Sequence, residues 1–488
     1  MKTVVTREIM TESEKGKDQN VLMERAGEGI AHFILDFVSH SKMEKRVFLF
    51  AGKGNNAGDG YTACRKLLEH GFAISIFECL SPSQNSLCAK KKEELLKKGR
   101  DQVSFVSSID KEGIILDALF GIGFQGEADE ELLEKMDYIN TCPLPIFSID
   151  IPSGIDANTG KRGKVAVCAN ITLACEWPKL GCFLEKGFHH AGSIISIPIG
   201  LETHYKDFCL VEPAKITPLL PPISRSRHKY EAGHVVGLGG SMPGASILAS
   251  YAALRSGAGI VHLAHHKDDT ASFQGPPWEI VRVSYDKKSS KAIRKLIQKA
   301  GCCFVGSGAG SRREDLDLFW DDYKDKAIID ADAISWIAEK KEDLGHLPGT
   351  IFTPHFGELK KLLDLPEDAT CTKEVLYTAR EFTCRHNTHM VVKGGPSFII
   401  SQDKPILIIA EGSPGMATAG SGDALTGILA SLYAQGLPPE YALLLGTTLH
   451  GMAGSIAAQK ETPYAMTASS IIQALGESFK QMGHSSRI

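Results

Sequence analysis

The stretch Gly412–Leu425, GSPGMATAGSGDAL, places small residues and glycines directly before an aspartate, and the apolar helical pattern ALTGILASLYA follows from Ala424. Small residues let successive backbone N–H groups turn toward one point. A helix start adds its own unpaired N–H groups and the positive end of its dipole. Such a point is an anion hole, suited to a phosphate or to charge developing on a moving phosphoryl group. Asp423 stands at its lip, where a carboxylate can accept the proton of an attacking hydroxyl.

Upstream, glycine-rich turns recur after strand-like runs: Gly239-Gly240-Ser241, Gly306–Gly310 and Lys393–Ser397. Between them lie Asp330-Ala331-Asp332 and Thr353-Pro354-His355-Phe356-Gly357-Glu358, which place acids and a histidine at the same carboxyl edge. Strands are expected at His234–Leu238, Ile260–Ala264, Cys302–Gly306, Ala327–Asp330, Thr350–Thr353, His389–Lys393 and Ser397–Ser401. Helices are expected at Ala245–Ser256, Lys291–Lys299, Ser421–Gln435, Glu440–Gln459 and Thr467–Gln481. Alternating strands and helices predict a parallel sheet covered by helices. No GxxxxGK[ST] sequence and no HRD or DFG set is present, so phosphoryl chemistry must use another scaffold.

A second alternating block precedes this one, with strands expected at Arg46–Phe50, Phe72–Glu78, Gln102–Val106, Gly113–Leu119, Leu144–Ile151 and Ser193–Ile199. Helices are expected at Tyr61–Glu69 and Asn85–Lys98. The first strand runs into AGKGNNAGDG, where Gly52-x-Gly54-x-x-Ala57 fits the dinucleotide fingerprint and Glu78 ends the next strand. Asn55, Asn56 and Asp59 exceed what a backbone pyrophosphate cradle needs. Two more acidic strand ends follow, at Asp117 and at Asp150-Ile151-Pro152-Ser153. Asn56, Asp117, Asp150 and Ser153 therefore converge on one edge, as a hard-cation or acid/base cluster. Pro213, Pro218, Pro221 and Pro222 discourage regular structure in the connector and divide the chain into residues 1–214 and 215–488.

The 488 residues imply more than one domain, and 43% hydrophobic with 23% charged residues is the balance of a globular protein. A net charge of −4 argues against nucleic-acid or anionic-membrane partners. The twelve cysteines contain no CxxC pair, so zinc-ribbon and thioredoxin chemistry are not expected, and Cys302 and Cys303 read as buried strand residues. The N-terminus lacks the apolar core of a signal peptide, and a reduced, cytoplasmic setting is expected.

The first block resembles the NAD(P)H-hydrate epimerase domain of the bifunctional NAD(P)H-hydrate repair enzymes, through Gln19–Gly27, GKGNNAGDG, DALFGIGFQG and DIPSGIDANTG. The likeness implies a Rossmann-like three-layer domain in which Asn55, Asn56, Ala57, Gly58 and Asp59 contact hydrated nucleotide. Gly121, Ile122, Gly123, Phe124, Gln125, Gly126 and Glu127 would do the same. It further implies that Asn56, Asp117 and Ser153 hold potassium, with Asp150 handling the proton. Ala57 departs from the family's NNGGDG pattern. The second block resembles the ribokinase-like, ADP- or ATP-dependent NAD(P)H-hydrate dehydratases, through GGSMPGASILASYAALRSGAGIV, IIDADAI, TPHFGEL, VVKGGPS and SPGMATAGSGDALTGILA. By position, Ala245, Gly308, His355 and Asp423 would contact the hydrated nucleotide. Lys393, Gly394, Gly395, Pro396, Ser397 and Gly422 would contact ADP or ATP, accompanied by magnesium. Ala419, Gly420, Ser421 and Gly422 would form the anion hole. Ser413 stands where the family has asparagine. The resemblance implies epimerisation of NADHX and NADPHX coupled to dehydration of the S form, with Asp150 and Asp423 catalytic and a homo-oligomeric state. The alternative from the residues alone is a vitamin or sugar kinase with an N-terminal nucleotide-binding or scaffold domain.

Overall fold

The computed structural model describes residues 1–488 apart from 100, 110, 287, 289, 341–343 and 484–488. The last five residues of the expected 215–488 domain thus lie outside the described residues. The chain forms two compact units, Lys2–Phe208 and Cys209–Ile488, the latter joined by Met1.

In the first unit the described strands run in the spatial order Val103–Phe105, Ala73–Glu78, Arg46–Ala51, Ile114–Ala118, Ile146–Ile149, Ile171–Cys175, Ser193–Ile197. Every neighbouring pair is parallel. The central strands read as unbroken apolar runs, such as VFLFA, because helices cover both faces. Ile171–Cys175 was not among the expected strands. Helix Gln19–Ser41 begins at Asp18, whose carboxylate caps the Asn20 and Val21 N–H groups. It buries Leu22, Ala26, Ile30, Ile34 and Val38 on one face, spaced at the helical period.

The next helix covers Asn55–Leu68, six residues earlier than the expected start at Tyr61. The polar run Asn55–Asp59 is therefore the helix's opening turns rather than a loop. The motif's glycines have separate steric jobs. A Cβ on Gly52 would lie 2.0 Å from the Leu119 carbonyl oxygen, so that glycine lets two strand ends approach. Ala57 is fully buried in ordinary helical backbone, so its methyl group meets no conformational penalty.

In the second unit, nine of the described strands run in the order Ile406–Ile409, Ser397–Ser401, His389–Val392, Ile351–Phe352, Ala327–Ile329, Cys302–Val305, His234–Leu238, Ile260–His266, Val281–Tyr285. The sheet is parallel from His389–Val392 onward, but Ser397–Ser401 pairs antiparallel with both neighbours. The short turn Lys393–Pro396 cannot hold the crossover that a parallel connection needs, so a hairpin forms instead of the expected continuation. The connector also departs from expectation: Pro213 opens a short helix, Pro213–Ile216, where its missing N–H costs nothing. Cys302 and Cys303 are fully buried in their strand.

Helix Ser421–Ala434 lies directly on Pro243–Arg255, with Gly427 at the crossing. A Cβ there would fall 1.9 Å from the Ala249 carbonyl oxygen. Replacing Gly427 by alanine should therefore destabilise this unit by roughly 1–3 kcal/mol through overpacking. Urea unfolding of the purified variant against wild type checks this, and an unchanged midpoint would contradict it.

Candidate active sites

In the first unit the strand ends and the opening turn of helix Asn55–Leu68 surround a cavity of about 680 Å³. Asn55, Asn56, Asp59, Gly121, Ile122, Gly123, Phe124, Gln125, Glu127 and Asp150 line it. Ala57, Gly58 and Gly126 do not line it. Ala57 faces the core, and Gly58 makes room for Met23, whose methyl carbon a Cβ would approach to 2.5 Å. Arg7 secures the far wall, donating to the Phe124 carbonyl at 3.1 Å and to Asp156 at 2.8 Å.

Asp117 is fully buried behind this wall. One of its oxygens accepts from the Ser153 hydroxyl at 2.6 Å, and the other accepts from the Ser148 hydroxyl at 2.7 Å and the Ser153 N–H at 3.0 Å. The Asn56 amide donates to the Phe120 carbonyl at 2.8 Å, and the Phe120 N–H donates to Ser153 at 2.9 Å. Asn56, Asp117 and Ser153 thus form one linked cluster centred on Phe120.

Asp150 has φ +69°, a left-handed conformation that a non-glycine residue adopts only when its surroundings impose it. Its N–H donates to Leu173 at 2.8 Å, and its carboxylate accepts from the Cys175 N–H at 3.1 Å. Its ion-pair partner is Lys179, which is fully buried and also donates to the Cys175 carbonyl at 3.0 Å. Burial works against the lysine's charge, but Asp150 outweighs it and holds Lys179 above the usual lysine range. Lys179 lies in WPKLGCF, and the lone cation in that apolar run was the signal that the sequence reading passed over. Glu78, which ends the strand after the fingerprint, is engaged by Lys92 and by the Ser81 hydroxyl.

In the second unit Gly420 caps helix Ser421–Ala434 with φ +87°, and a Cβ there would meet Leu248 at 2.6 Å. The Lys393 ammonium stands over the helix start, 3.2 Å from where a Cβ on Gly422 would be. It donates to Asp330 at 2.6 Å. Asp330 also accepts from Thr353 at 2.7 Å and Thr426 at 3.0 Å. Burial alone would raise Asp330, but Lys393 and the two threonines outweigh it and hold the carboxyl below its usual range. Asp423, sharing that lysine with Asp330 and Glu358, is pushed up to about 6 by burial and then by the Asp330 charge.

His355 caps helix Phe356–Leu363, its Nδ1 accepting the Glu358 N–H at 3.2 Å. Its side chain is 61% exposed, so it is no buried structural histidine. It lies beside Lys393, whose N–H donates to the Pro354 carbonyl at 2.8 Å. Gly308 accepts from the Met242 N–H at 3.1 Å, and a Cβ on it would sit 3.0 Å from that of Ala245. Ala245 and Gly308 are therefore neighbours. Gly394, Gly395, Pro396 and Ser397 form the hairpin turn, closed by the Ser397 hydroxyl on the Gly394 carbonyl at 3.1 Å. Ser413 caps a short turn by accepting the Gly415 N–H at 3.3 Å.

Residues 234–477 match the family described as NAD(P)H-hydrate dehydratase, and residues 19–181 match the YjeF-related protein N-terminus. The chain is 31% identical to the bifunctional NAD(P)H-hydrate repair enzyme of Dictyoglomus turgidum, covering 97% of this chain and 98% of that one. The chain belongs to the bifunctional NAD(P)H-hydrate repair enzyme family. It is also 30% identical to the repair enzyme of Moorella thermoacetica, over 93% of this chain and 91% of the other. A solved ribokinase-like superfamily protein from Enterococcus faecalis superposes with a TM-score of 0.51 at 22% identity, covering 58% of this chain and 99% of its own. The second unit thus has the ribokinase-like fold.

One more member of the site was invisible in the sequence. His450, on the buried helix Pro439–Glu461, lies 3.0 Å from the Ser421 carbonyl and 3.3 Å from its hydroxyl. Burial lowers this histidine to about 4, so it is neutral and serves as a brace for the helix start.

Removing Lys179 leaves Asp150 buried without its cation. Lys179→Met should destabilise the first unit by about 3–5 kcal/mol. Chemical denaturation followed on Trp177, beside that pair in sequence, measures this, and a loss below 1 kcal/mol would contradict the pairing's role.

Proposed function

We propose that this chain repairs hydrated nicotinamide nucleotides, with residues 1–214 interconverting the R and S forms of NADHX and NADPHX. Residues 215–488 dehydrate the S form to NADH or NADPH, using ADP or ATP. The observation that carries this reading is Asp423, an aspartate tuned to about 6 at a glycine-capped helix start, in a chain of the repair family. A base works best with a pKa near the operating pH, so Asp423 is suited to take the proton of the ring hydroxyl. The hydroxyl oxygen then attacks the terminal phosphorus of the nucleotide. Lys393 and the N–H groups of Ala419–Gly422 stabilise the charge on the transferring group. Phosphate, a far better leaving group than hydroxide, departs with the C–O bonding electrons, and loss of a ring proton restores the dihydronicotinamide. Ala245, Gly308 and His355 hold the hydrated ring, while Gly394–Ser397 and Gly422 hold the nucleotide.

Asp330, Glu358 and Asp423 crowd a single lysine, so the site keeps negative charge suited to a divalent ion that travels with nucleotide phosphates. Glu358 would hold the magnesium, which supplies neutralisation of phosphate charge. In the other half, Asn56, Asp117 and Ser153 offer oxygen donors around a carboxylate with no cationic partner among the described residues. They would hold potassium, which orders the Phe120–Gly126 loop against the nucleotide. The described cysteines form no disulfide, in keeping with a cytoplasmic setting.

The test is recovery of near-ultraviolet absorbance from mixed NADHX epimers given the protein, magnesium, potassium and ADP or ATP. Rapid return of the whole pool as NADH is expected. Accumulation of a phosphorylated alcohol without NADH would indicate a small-molecule kinase instead. Asp423→Asn should abolish dehydration and leave epimer exchange intact, whereas Asp150→Asn should do the reverse, as read by chromatographic separation of the epimers.

The base must be ionised, so dehydration is retained above Asp423's pKa and lost as pH falls through it. The kcat/KM for the S epimer should therefore drop tenfold per pH unit below about 6. A profile flat down to pH 5 would exclude Asp423 as the base.

A further inference from the structure

Asp59, Asp129 and Asp150 line the cavity of the first unit, and Asp59 and Asp150 lie in opposite surroundings. Asp150 is ion-paired to Lys179 and accepts the Cys175 N–H. Asp59, on the opening turns of helix Asn55–Leu68, lines the same cavity and has neither hydrogen-bond nor ion-pair partner among the described residues. The charged or titratable groups around it are Glu14 from helix Arg7–Glu14, Cys88 from helix Leu87–Lys98, Asp150 and Cys175 from the sheet, and Lys179. Glu14 lines the cavity too. One lysine thus serves three carboxylates, and it is committed to Asp150.

Inverting a ring carbon that bears a hydroxyl demands both an acid and a base. The C–O bond breaks only if its oxygen is protonated as it departs, leaving as water. The ring-nitrogen lone pair then forms a C=N bond, and the carbon becomes planar. Water adds to the opposite face, its oxygen bonding to carbon while a proton passes to a base. A single ionised carboxylate supplies only the second half of this sequence.

We infer that Asp59 is the general acid of epimerisation, delivering its proton to the departing hydroxyl while Asp150, ion-paired to Lys179, receives the proton of the incoming water. This rests on the epimerase reading of the first unit. One turnover moves one proton from Asp59 to the leaving oxygen and one from water to Asp150, so atoms and charge balance. The enzyme ends with the two protonation states exchanged, ready for the other epimer or reset through solvent. Burial first, then the Asp150 and Glu14 carboxylates, raise Asp59 well above the usual aspartate range, the direction that favours the protonated form this role needs. Glu14 is raised as well, by burial and then by Asp150. A raised carboxyl facing an ion-paired one across a single cavity is an arrangement suited to an acid and base pair.

The experiment measures exchange of purified R-NADHX into S-NADHX by chromatography, without nucleotide, across pH. Asp59→Asn should lower kcat by about 100-fold or more while KM stays within about twofold, and Asp59→Glu should restore part of the rate. Wild type should lose activity as alkaline pH deprotonates Asp59, and the residual activity of Asp59→Asn should lack that limb. Glu14→Gln, which removes a like charge, should move the limb to lower pH. A merely structural Asp59 would change KM or stability and leave the limb in place. An Asp59→Asn enzyme that keeps the wild-type rate, or keeps the alkaline limb, overturns the assignment. If Asp150→Asn abolishes exchange in that case, the epimerase reading stands and only the acid is misassigned. Wild-type protein that does not speed exchange at any pH overturns the epimerase reading itself.

Discussion

Taking a lysine and an aspartate out of water is unfavourable unless they meet each other and every remaining polar atom finds a partner. Each half of this chain builds its site around such a pair at the end of a parallel strand. In the first unit it is Lys179 with Asp150, and in the second Lys393 with Asp330. The surrounding donors are what make the pairs tolerable: the Cys175 backbone in one case, Thr353 and Thr426 in the other. Because each lysine is committed to one carboxylate, the neighbouring carboxylates are left with like charges and little solvent. Asp59 and Asp423 are those neighbours, and both are raised. The pairs therefore do more than hold strands together. They set the proton affinities on which acid and base chemistry depends.

The second recurring constraint is steric. Glycine appears where backbones must come closer than a side chain allows, at Gly52 between strand ends and at Gly427 between helices. Gly420 differs, since its left-handed backbone aims the helix start, and Leu248 fills the space a side chain would need. His450 then holds Ser421 with a neutral ring, adding no charge beside the helix start. The start of the helix is thus held by side-chain packing and by a hydrogen bond from a neutral ring.

Much of this was legible along the chain. The glycine–aspartate run at Gly420–Asp423, the acidic strand ends at Asp117, Asp150 and Asp330, and the two αβ blocks are local patterns of a few residues each. Helix and strand periods, and the resemblance to both halves of the repair enzymes, come from the same local information. The misjudged features were those where a short segment's own preference yields to its neighbours. Asn55–Asp59 looked like a loop because it is rich in asparagine and glycine, yet it packs as helix against the sheet. Ile171–Cys175 gave no clear signal until flanking strands supplied its hydrogen bonds, and the hairpin at Lys393–Pro396 reversed a strand expected to be parallel.

What the sequence by itself determined is where glycine-rich turns, helix starts and candidate carboxylates lie, since turns and helix starts are specified by adjacent residues. What only the tertiary structure decided is which carboxylate gains the lysine as its partner. Lys179 and Asp150 are 29 residues apart, and Lys393 and Asp330 are 63 apart, so no local pattern joins them. The division between Asp59 and Asp150, or between Asp423 and Asp330, comes from desolvation and from the placement of one cation. Both exist only once distant segments have packed and excluded water.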